Sequence, residues 1–239
     1  LIGTSGYFYQ HWGNNVFYPS SLPQNKWLEH YCKYLNSVEL NVSFYRLPSV
    51  AAFNSWYIRT PGNFRFAVKG SRFITHVKKL KNPKESVKLF FSRIKDLKEK
   101  LSVVLWQFPP QFKFNPERLI AFVKELRKNA PCRHAFEFRN ESWFSEETYE
   151  ILDKVNMTVC ITDWPNLSLE TPAIGDFTYI RRHGTEGKLY GGCYSEDQLK
   201  SDALLMKIKQ KDCYIYFNND AEGFAVKNAM QLKQILLYK

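Results

Sequence analysis

Ser102-Val103-Val104-Leu105-Trp106-Gln107-Phe108 is a short apolar run rich in β-branched and aromatic residues, and it reads as a buried strand. Asn115-Pro116 then supplies an N-cap residue and a proline at the first helical position, and Leu119, Phe122, Val123 and Leu126 recur at helical spacing. A second strand follows at His134-Ala135-Phe136-Glu137-Phe138-Arg139. Strand, amphipathic helix and strand in this order make a βαβ unit, whose strands run parallel because a crossover joins them.

The same alternation extends outward to both ends of the chain. Further strands are expected at Ile2–Ser5, Ser37–Asn41, Arg65–Lys69, Thr158–Asp163, Phe177–His183 and Cys213–Asn218, about eight in all. Asn82-Pro83-Lys84-Glu85 reads as an N-cap, a helix-opening proline and a capping-box glutamate ahead of Val87, Phe90, Phe91, Ile94 and Leu97. Ser195 with Gln198 offers another capping box, and less regular patterns mark helices near Lys26–Leu35, Val50–Arg59, Glu146–Val155 and Ala225–Tyr238. Eight βα units that close on themselves take about 250 residues, close to the 239 present. No Gly-x-Gly-x-x-Gly turn supports an open dinucleotide-binding sheet, and no linker divides the chain. The expected architecture is α/β, a single-domain TIM-type (β/α)8 barrel over residues 1–239, with the loop from Trp164 to Asp176 replacing or shortening one helix.

Composition narrows the function classes. With 44% hydrophobic and 24% charged residues the chain can bury a core. It has neither an apolar run long enough to span a bilayer nor a basic-then-apolar leader, so a soluble cytoplasmic protein without a membrane partner is expected. Five cysteines, widely spaced and without a Cys-x-x-Cys pair, read mainly as small buried hydrophobes; Cys193 has no evident base to make it a nucleophile. The net charge of +11 suits a polyanionic partner. Much of that charge, however, interleaves with an apolar helical stripe between His76 and Lys100, as on a solvated helix face.

Barrel enzymes carry their reacting groups at the C-terminal strand ends. Those ends are polar here: Glu39 and Asn41, Lys69, Gln107, Glu137 and Arg139, Asp163 and Trp164, Arg181 and His183, and Asn218. Period-two alternation sets Glu39 with Asn41, Glu137 with Arg139, and Arg181 with His183 on common faces. Charges on otherwise apolar strands are costly unless paired or ligated. One reading is a salt-bridged plug in which Lys69, Arg139 and Arg181 neutralise Glu39, Glu137 and Asp163. The other is a site for a small anionic molecule, held by Lys69, Arg139 and Arg181, with Glu137 as first candidate for general acid/base and Glu39, Asp163 and His183 as rivals. A divalent metal on Glu39, Glu137, Asp163 and His183, the ligand types of sugar-isomerase-like barrels, is less favoured because nearby cations compete for the carboxylates. His76 and the aromatic residues Tyr7, Tyr9, Trp12, Phe44, Tyr45, Trp56, Trp143 and Trp164 fall in the adjoining loops, where they would stack a sugar or base or roof the barrel.

The motifs Gly3-Thr4-Ser5-Gly6-Tyr7, Val38-Glu39-Leu40-Asn41, Phe44-Tyr45-Arg46-Leu47-Pro48, Phe66-Ala67-Val68-Lys69, Ile74-Thr75-His76, Gln107-Phe108-Pro109-Pro110, Glu137-Phe138-Arg139, Ser142-Trp143, Asp163-Trp164 and Arg181-x-His183-Gly184 together resemble the YecE-like family, domain of unknown function seventy-two. The resemblance runs in order over nearly the whole chain. It implies a TIM-type barrel and brings Tyr45 and Arg46 into the candidate binding set, but it implies no activity. Tyr7 stands where the family pattern often has tryptophan, and Val42-Ser43 where a threonine usually precedes the Phe-Tyr pair. An enzyme of hydrolase, lyase or isomerase type acting on a small anionic or sugar-like molecule is the leading expectation. A nucleic-acid-binding or nucleic-acid-processing barrel and a non-catalytic metabolite-binding module are the alternatives. Oligomeric state is not read from the sequence.

Overall fold

A computed structural model describes residues 1–129, 132–165, 167, 171–172, 174–185, 187–208 and 212–237. One parallel sheet contains β2 (Ser37–Leu40), β3 (Arg65–Lys69), β4 (Leu101–Gln107), β5 (Arg133–Glu137) and β6 (Thr158–Val159), in that order. The other contains β1 (Ile2–Thr4), β9 (Asp212–Phe217), β8 (Phe177–Arg182) and β7 (Ile161–Thr162), again neighbour to neighbour and parallel. β6 and β7 are separated only by Cys160, whose N–H donates to the Phe136 carbonyl at 2.8 Å. At the other seam Ser5 bridges Glu39, and the Gly6 N–H donates to the Glu39 carbonyl at 2.8 Å. A Cβ on Gly3 would stand 2.2 Å from the Ser37 carbonyl oxygen, so β1 approaches β2 as only glycine permits. The fold is α/β with parallel sheets.

Alternate positions of each strand face two different cores. Val104, Trp106, Phe136, Ile180, Ile215 and Phe217 join the larger core, with Val87, Phe90, Phe91 and Ile94 of α4 (Lys84–Ile94) and Leu119, Phe122, Val123 and Leu126 of α5 (Pro116–Asn129). Val103, Leu105, Ala135, Tyr179, Tyr214 and Tyr216 face the opposite way and form a smaller core of their own. The remaining helices are Trp27–Tyr31, Val42–Tyr45, Val50–Ile58, Glu146–Asp153, Glu196–Ile208 and Phe224–Leu237. Among the described residues none is long and apolar enough to cross a membrane.

The strand expectations hold to within two residues, except that the one strand expected at Thr158–Asp163 is broken at Cys160 into β6 and β7, which belong to different sheets. Asn115 caps α5 by accepting from the Arg118 N–H at 2.9 Å, and Ser195 and Gln198 form their reciprocal box at 3.3 and 2.8 Å. Asn82 does not cap α4: it has φ of +45°, Pro83 occupies the cap position, and no side chain caps the helix. The helix expected at Lys26–Leu35 is only Trp27–Tyr31, preceded by a 3-10 turn over Gln24–Lys26. In the loop from Trp164 to Asp176, residues 166, 168–170 and 173 lie outside the described set, as does Tyr238 of the last expected helix. Lys100, read as part of a solvated face, is 4% exposed, and its ammonium donates to Tyr57 O, Thr60 O and Thr60 Oγ1 at 2.6, 2.7 and 3.1 Å. The short helix Val42–Tyr45 and a π-turn at Phe73–Val77, each following a strand end, went unread, as did the 3-10 turns at Gln10–Trp12, Lys95–Lys100, Glu141–Trp143 and Ala221–Gly223.

Candidate functional site

The smaller core turns from apolar to charged as the strands run toward their C-terminal ends. Ala67 is followed by Lys69, Leu105 by Gln107, Ala135 by Glu137, and Tyr179 by Arg181 and His183, each two residues on and hence on the same face. All five of these polar residues are buried.

Arg181 is the centre. Its Nε and Nη2 donate to Glu39 Oε2 and Oε1 at 3.0 and 2.8 Å, and its Nη1 donates to Glu137 Oε2 at 2.7 Å. Glu39 also accepts from Ser5 Oγ at 2.6 Å and from the Tyr179 hydroxyl at 2.7 Å. Glu137 Oε1 accepts from Arg139 Nη2 at 3.1 Å and faces His183 Nε2 at 3.0 Å. Burial alone would push both carboxyls up. The Arg181 guanidinium more than offsets it, helped by Ser5 and Tyr179 at Glu39 and by Arg139 and His183 at Glu137. Both carboxyls end below the ordinary carboxylate value, Glu137 well below. Both are ionised, and both are spent on protein donors.

His183 is held in one orientation. Asn218 Nδ2 lies 3.1 Å from its Nδ1, and an amide NH2 can only donate, so Nδ1 is the acceptor and Nε2 carries the proton toward Glu137. Burial and then Arg181 lower the imidazole pKa, against a partial pull from Glu137, which keeps the ring neutral. Asp163 accepts from the His183 backbone N–H at 2.7 Å and from the Tyr194 hydroxyl, so it anchors the end of β8 rather than facing Glu137.

Lys69 differs from every other charge in the cluster. It is 8% exposed, and its ammonium has no hydrogen bond or ion pair among the described residues; it stands 4.2 Å over the Phe44 ring. Burial, reinforced by Arg181, lowers its pKa to about 7, while Glu137 and Glu39 pull the other way. His76 lies beside it, its ring 5.0 Å from Phe44 and its Nδ1 2.9 Å from Thr75 Oγ1. Burial and then Arg72 bring that imidazole down to about 4.

Two concavities open beyond the cluster. One, of about 510 Å³, is lined by Arg139, Asn140, Glu141, Ser142 and Trp164, with the Arg139 guanidinium 3.3 Å from the Trp164 ring centre. The other, of about 460 Å³, is lined by Tyr7, Phe8, Tyr9, Asn41, Tyr45 and Trp56; Asn41 Oδ1 is buried there without a hydrogen-bond partner.

The expected residues thus divide. Glu39, Glu137, Arg139, Arg181, His183 and Asn218 are bonded into one network, with Lys69 and His76 at its edge, Gln107 on the same face, and Asn41, Tyr45 and Trp164 on the concavities. Arg46 is exposed, and among the described residues no hydrogen bond or ion pair joins its side chain to the network. Trp143 is unavailable to a ligand: it is fully buried, stacks on Phe138 at 5.1 Å, and donates to the Phe112 carbonyl at 2.5 Å. Nor do Glu39, Glu137, Asp163 and His183 fit a metal. The Arg181 guanidinium lies between the two glutamates, Asp163 is turned to Tyr194, and no group of metal-ligating side chains forms among the described residues. Ser5, Tyr179 and Tyr194 were missed. Period-two extension from Arg181 back to Tyr179 would have found one of them.

An α/β protein of parallel strands that converge on an arginine-bridged pair of buried carboxylates is the class these features define. The chain belongs to the family described as Protein of unknown function DUF72, which it matches over residues 1–239. It is 28% identical to UPF0759 protein YunF of Bacillus subtilis (strain 168), across 98% of this chain and 94% of that protein. Among solved structures, a DUF72 family protein from Thermotoga maritima MSB8 is 34% identical, with a TM-score of 0.83 over 99% of this chain and 98% of that one. A DUF72 family protein from Enterococcus faecalis V583 shares the fold at 21% identity, with a TM-score of 0.79 over 99% and 95% of the two chains.

Proposed function

We propose that the two sheets are arcs of one closed (β/α)8 barrel, and that the cluster at its C-terminal mouth is the binding and reaction site of an enzyme for a small anionic or sugar-like molecule. Closure is supported by the two seams. β6 pairs with β5 and β7 pairs with β8 across a single residue, and Ser5 bridges Glu39 between β1 and β2. The barrel is a single domain in this reading.

One observation carries the site: among the described residues the buried Lys69 has no hydrogen bond or ion pair and rests only on the Phe44 ring, while Glu39 and Glu137 near it are already bonded. A plug that only closed the barrel would match its charges, because an unpaired buried ammonium costs stability and contributes nothing to closure. Lys69 is therefore the cation left over once Glu39 and Glu137 have aimed Arg181 and Arg139, and Arg139 carries the cluster to the concavity at Trp164. Proton transfer falls to Lys69, whose pKa of about 7 suits a general acid or base near neutrality.

The test is a thermal-shift titration of wild type and Arg139→Ala against inorganic phosphate, sugar phosphates, carboxylates and short oligonucleotides. A small anion at a hundred times its Kd adds about 2.7 kcal/mol to wild type, and the variant loses most of that response. Stabilisation by oligonucleotides alone would move the reading to a nucleic-acid-binding barrel, and no response to any of them would leave the plug.

A further inference from the structure

We infer that Lys69 is a nucleophile that forms an imine with the carbonyl carbon of an anionic keto or aldehyde compound; this rests on the anion site proposed above and names its substrate class.

The protein contains its own comparison. Lys100 and Lys69 are almost equally buried, at 4% and 8% exposure. The Lys100 ammonium is used up, with three acceptors from Tyr57 and Thr60 within 3.1 Å. A lysine tied in this way holds a loop to a strand and has no lone pair to offer. Among the described residues the Lys69 ammonium has no such acceptor, and it rests on the face of Phe44. Its backbone is nonetheless fixed: the Lys69 carbonyl accepts from Ser43 Oγ at 2.6 Å, and the register of β3 on β4 pairs Lys69 with Leu105. The side chain is positioned by its surroundings without being consumed by them, as a nucleophile must be.

Chemistry narrows the electrophile. Of the cations in the cluster only Lys69 can shed a proton, since Arg181 and Arg139 stay charged. The neutral amine adds to a carbonyl carbon, the C–N bond forms, and the carbonyl oxygen takes a proton to give a carbinolamine. Loss of that hydroxyl with a further proton as water leaves the protonated imine. Ammonium plus carbonyl compound thus becomes iminium plus water, with no oxidant or reductant. The substrate is anionic because the cluster sets three cations, Lys69, Arg139 and Arg181, against two carboxylates, Glu39 and Glu137.

Borohydride trapping tests this with dihydroxyacetone phosphate and pyruvate as the probes. The wild-type protein should gain one reduced adduct, located by peptide mass mapping at Lys69 and suppressed by excess inorganic phosphate. Lys69→Arg and Lys69→Met, checked for a cooperative melt, should lose at least nine-tenths of the adduct. Equal trapping in those variants, or adducts spread over surface lysines, overturns the nucleophile. If phosphate or pyruvate stabilises the wild type and neither probe is trapped, the imine fails while the anion site stands. If neither stabilises nor traps, both fail.

Discussion

The Arg181 guanidinium meets the Glu39 carboxylate as a two-pronged fork, Nε to Oε2 at 3.0 Å and Nη2 to Oε1 at 2.8 Å, with both side chains buried. The same guanidinium reaches Glu137. Arg181→Met removes the ion-pair partner of the buried Glu39 and leaves Glu137 to Arg139 alone, so it should cost about 3–5 kcal/mol at neutral pH in urea denaturation. The sign of the pH response separates this from a packing defect. Glu39 and Glu137 have depressed pKa values in the wild type, so the stability they contribute is present above the unfolded value, near 4.5, and is lost as pH falls through the folded values. In the variant, burial without a paired counterion raises Glu39 instead, and stability should climb on acidification from pH 7 toward 5. A deficit that is the same at both pH values would mean the guanidinium serves as filler.

Lys69→Met should stabilise the protein. The folded pKa of about 7 lies below the ordinary lysine value of 10.5, so the unfolded chain holds the extra proton between those values. Wild-type stability therefore rises with pH across that window, and the penalty is full below it. The gain in Lys69→Met should be on the order of 1–3 kcal/mol at pH 6.5 and shrink toward pH 10. Denaturation curves at the two pH values check it, and a loss of stability at pH 6.5 would show that the ammonium is satisfied after all.

Asn218→Asp reverses the logic at His183. A carboxylate opposite Nδ1 requires a donor there, and Nε2 already faces Glu137, so the ring should take a second proton and become a cation between two anions. Its pKa, lowered in the wild type, should rise above 7 in a ring-proton NMR titration. A ring still neutral at pH 6 would contradict the assignment of Nδ1 as acceptor.

Gly70→Ala probes the wall behind Lys69. An added Cβ would stand 2.2 Å from Cε3 of the fully buried Trp106, whose indole N–H donates to His134 Nδ1 at 3.2 Å. Because the obstacle is a fixed ring, the substitution should cost about 2–4 kcal/mol and lower the melting temperature by several degrees. Little change would mean that the strand end yields, and that Lys69 is less rigidly placed than its packing implies.

The strands could be read from the sequence because apolar runs and helical stripes alternate regularly, and the shared face of Arg181 and His183 followed from their spacing. Which carboxylate each cation takes could not. Arg181, not Arg139 or Lys69, bridges Glu39 to Glu137, and that depends on how far apart β2, β5 and β8 stand. Local chemistry misled where distant chain intervened. Lys100 looks like its solvated neighbours, yet its acceptors come from Tyr57 and Thr60, some forty residues earlier. Asn82 has the side chain of a cap, but Lys79, Leu80 and Asn82 all adopt positive φ and turn it away from the helix start. Trp143 sits in a motif beside the site and is spent on the core beneath it.

The bridge from Arg181 to Glu39 and Glu137 also bears on how the molecule comes into being. Both acids belong to the five-stranded sheet near the beginning and middle of the chain, and the arginine arrives only with β8. A nascent chain that stops short of residue 177 pairs Glu137 with Arg139 but leaves the inward-facing Glu39 without its guanidinium, so that sheet is incomplete by itself. The arginine acts as a keystone: it commits both halves of the chain in one step, and a cut between them should give two fragments that fold only in each other's company.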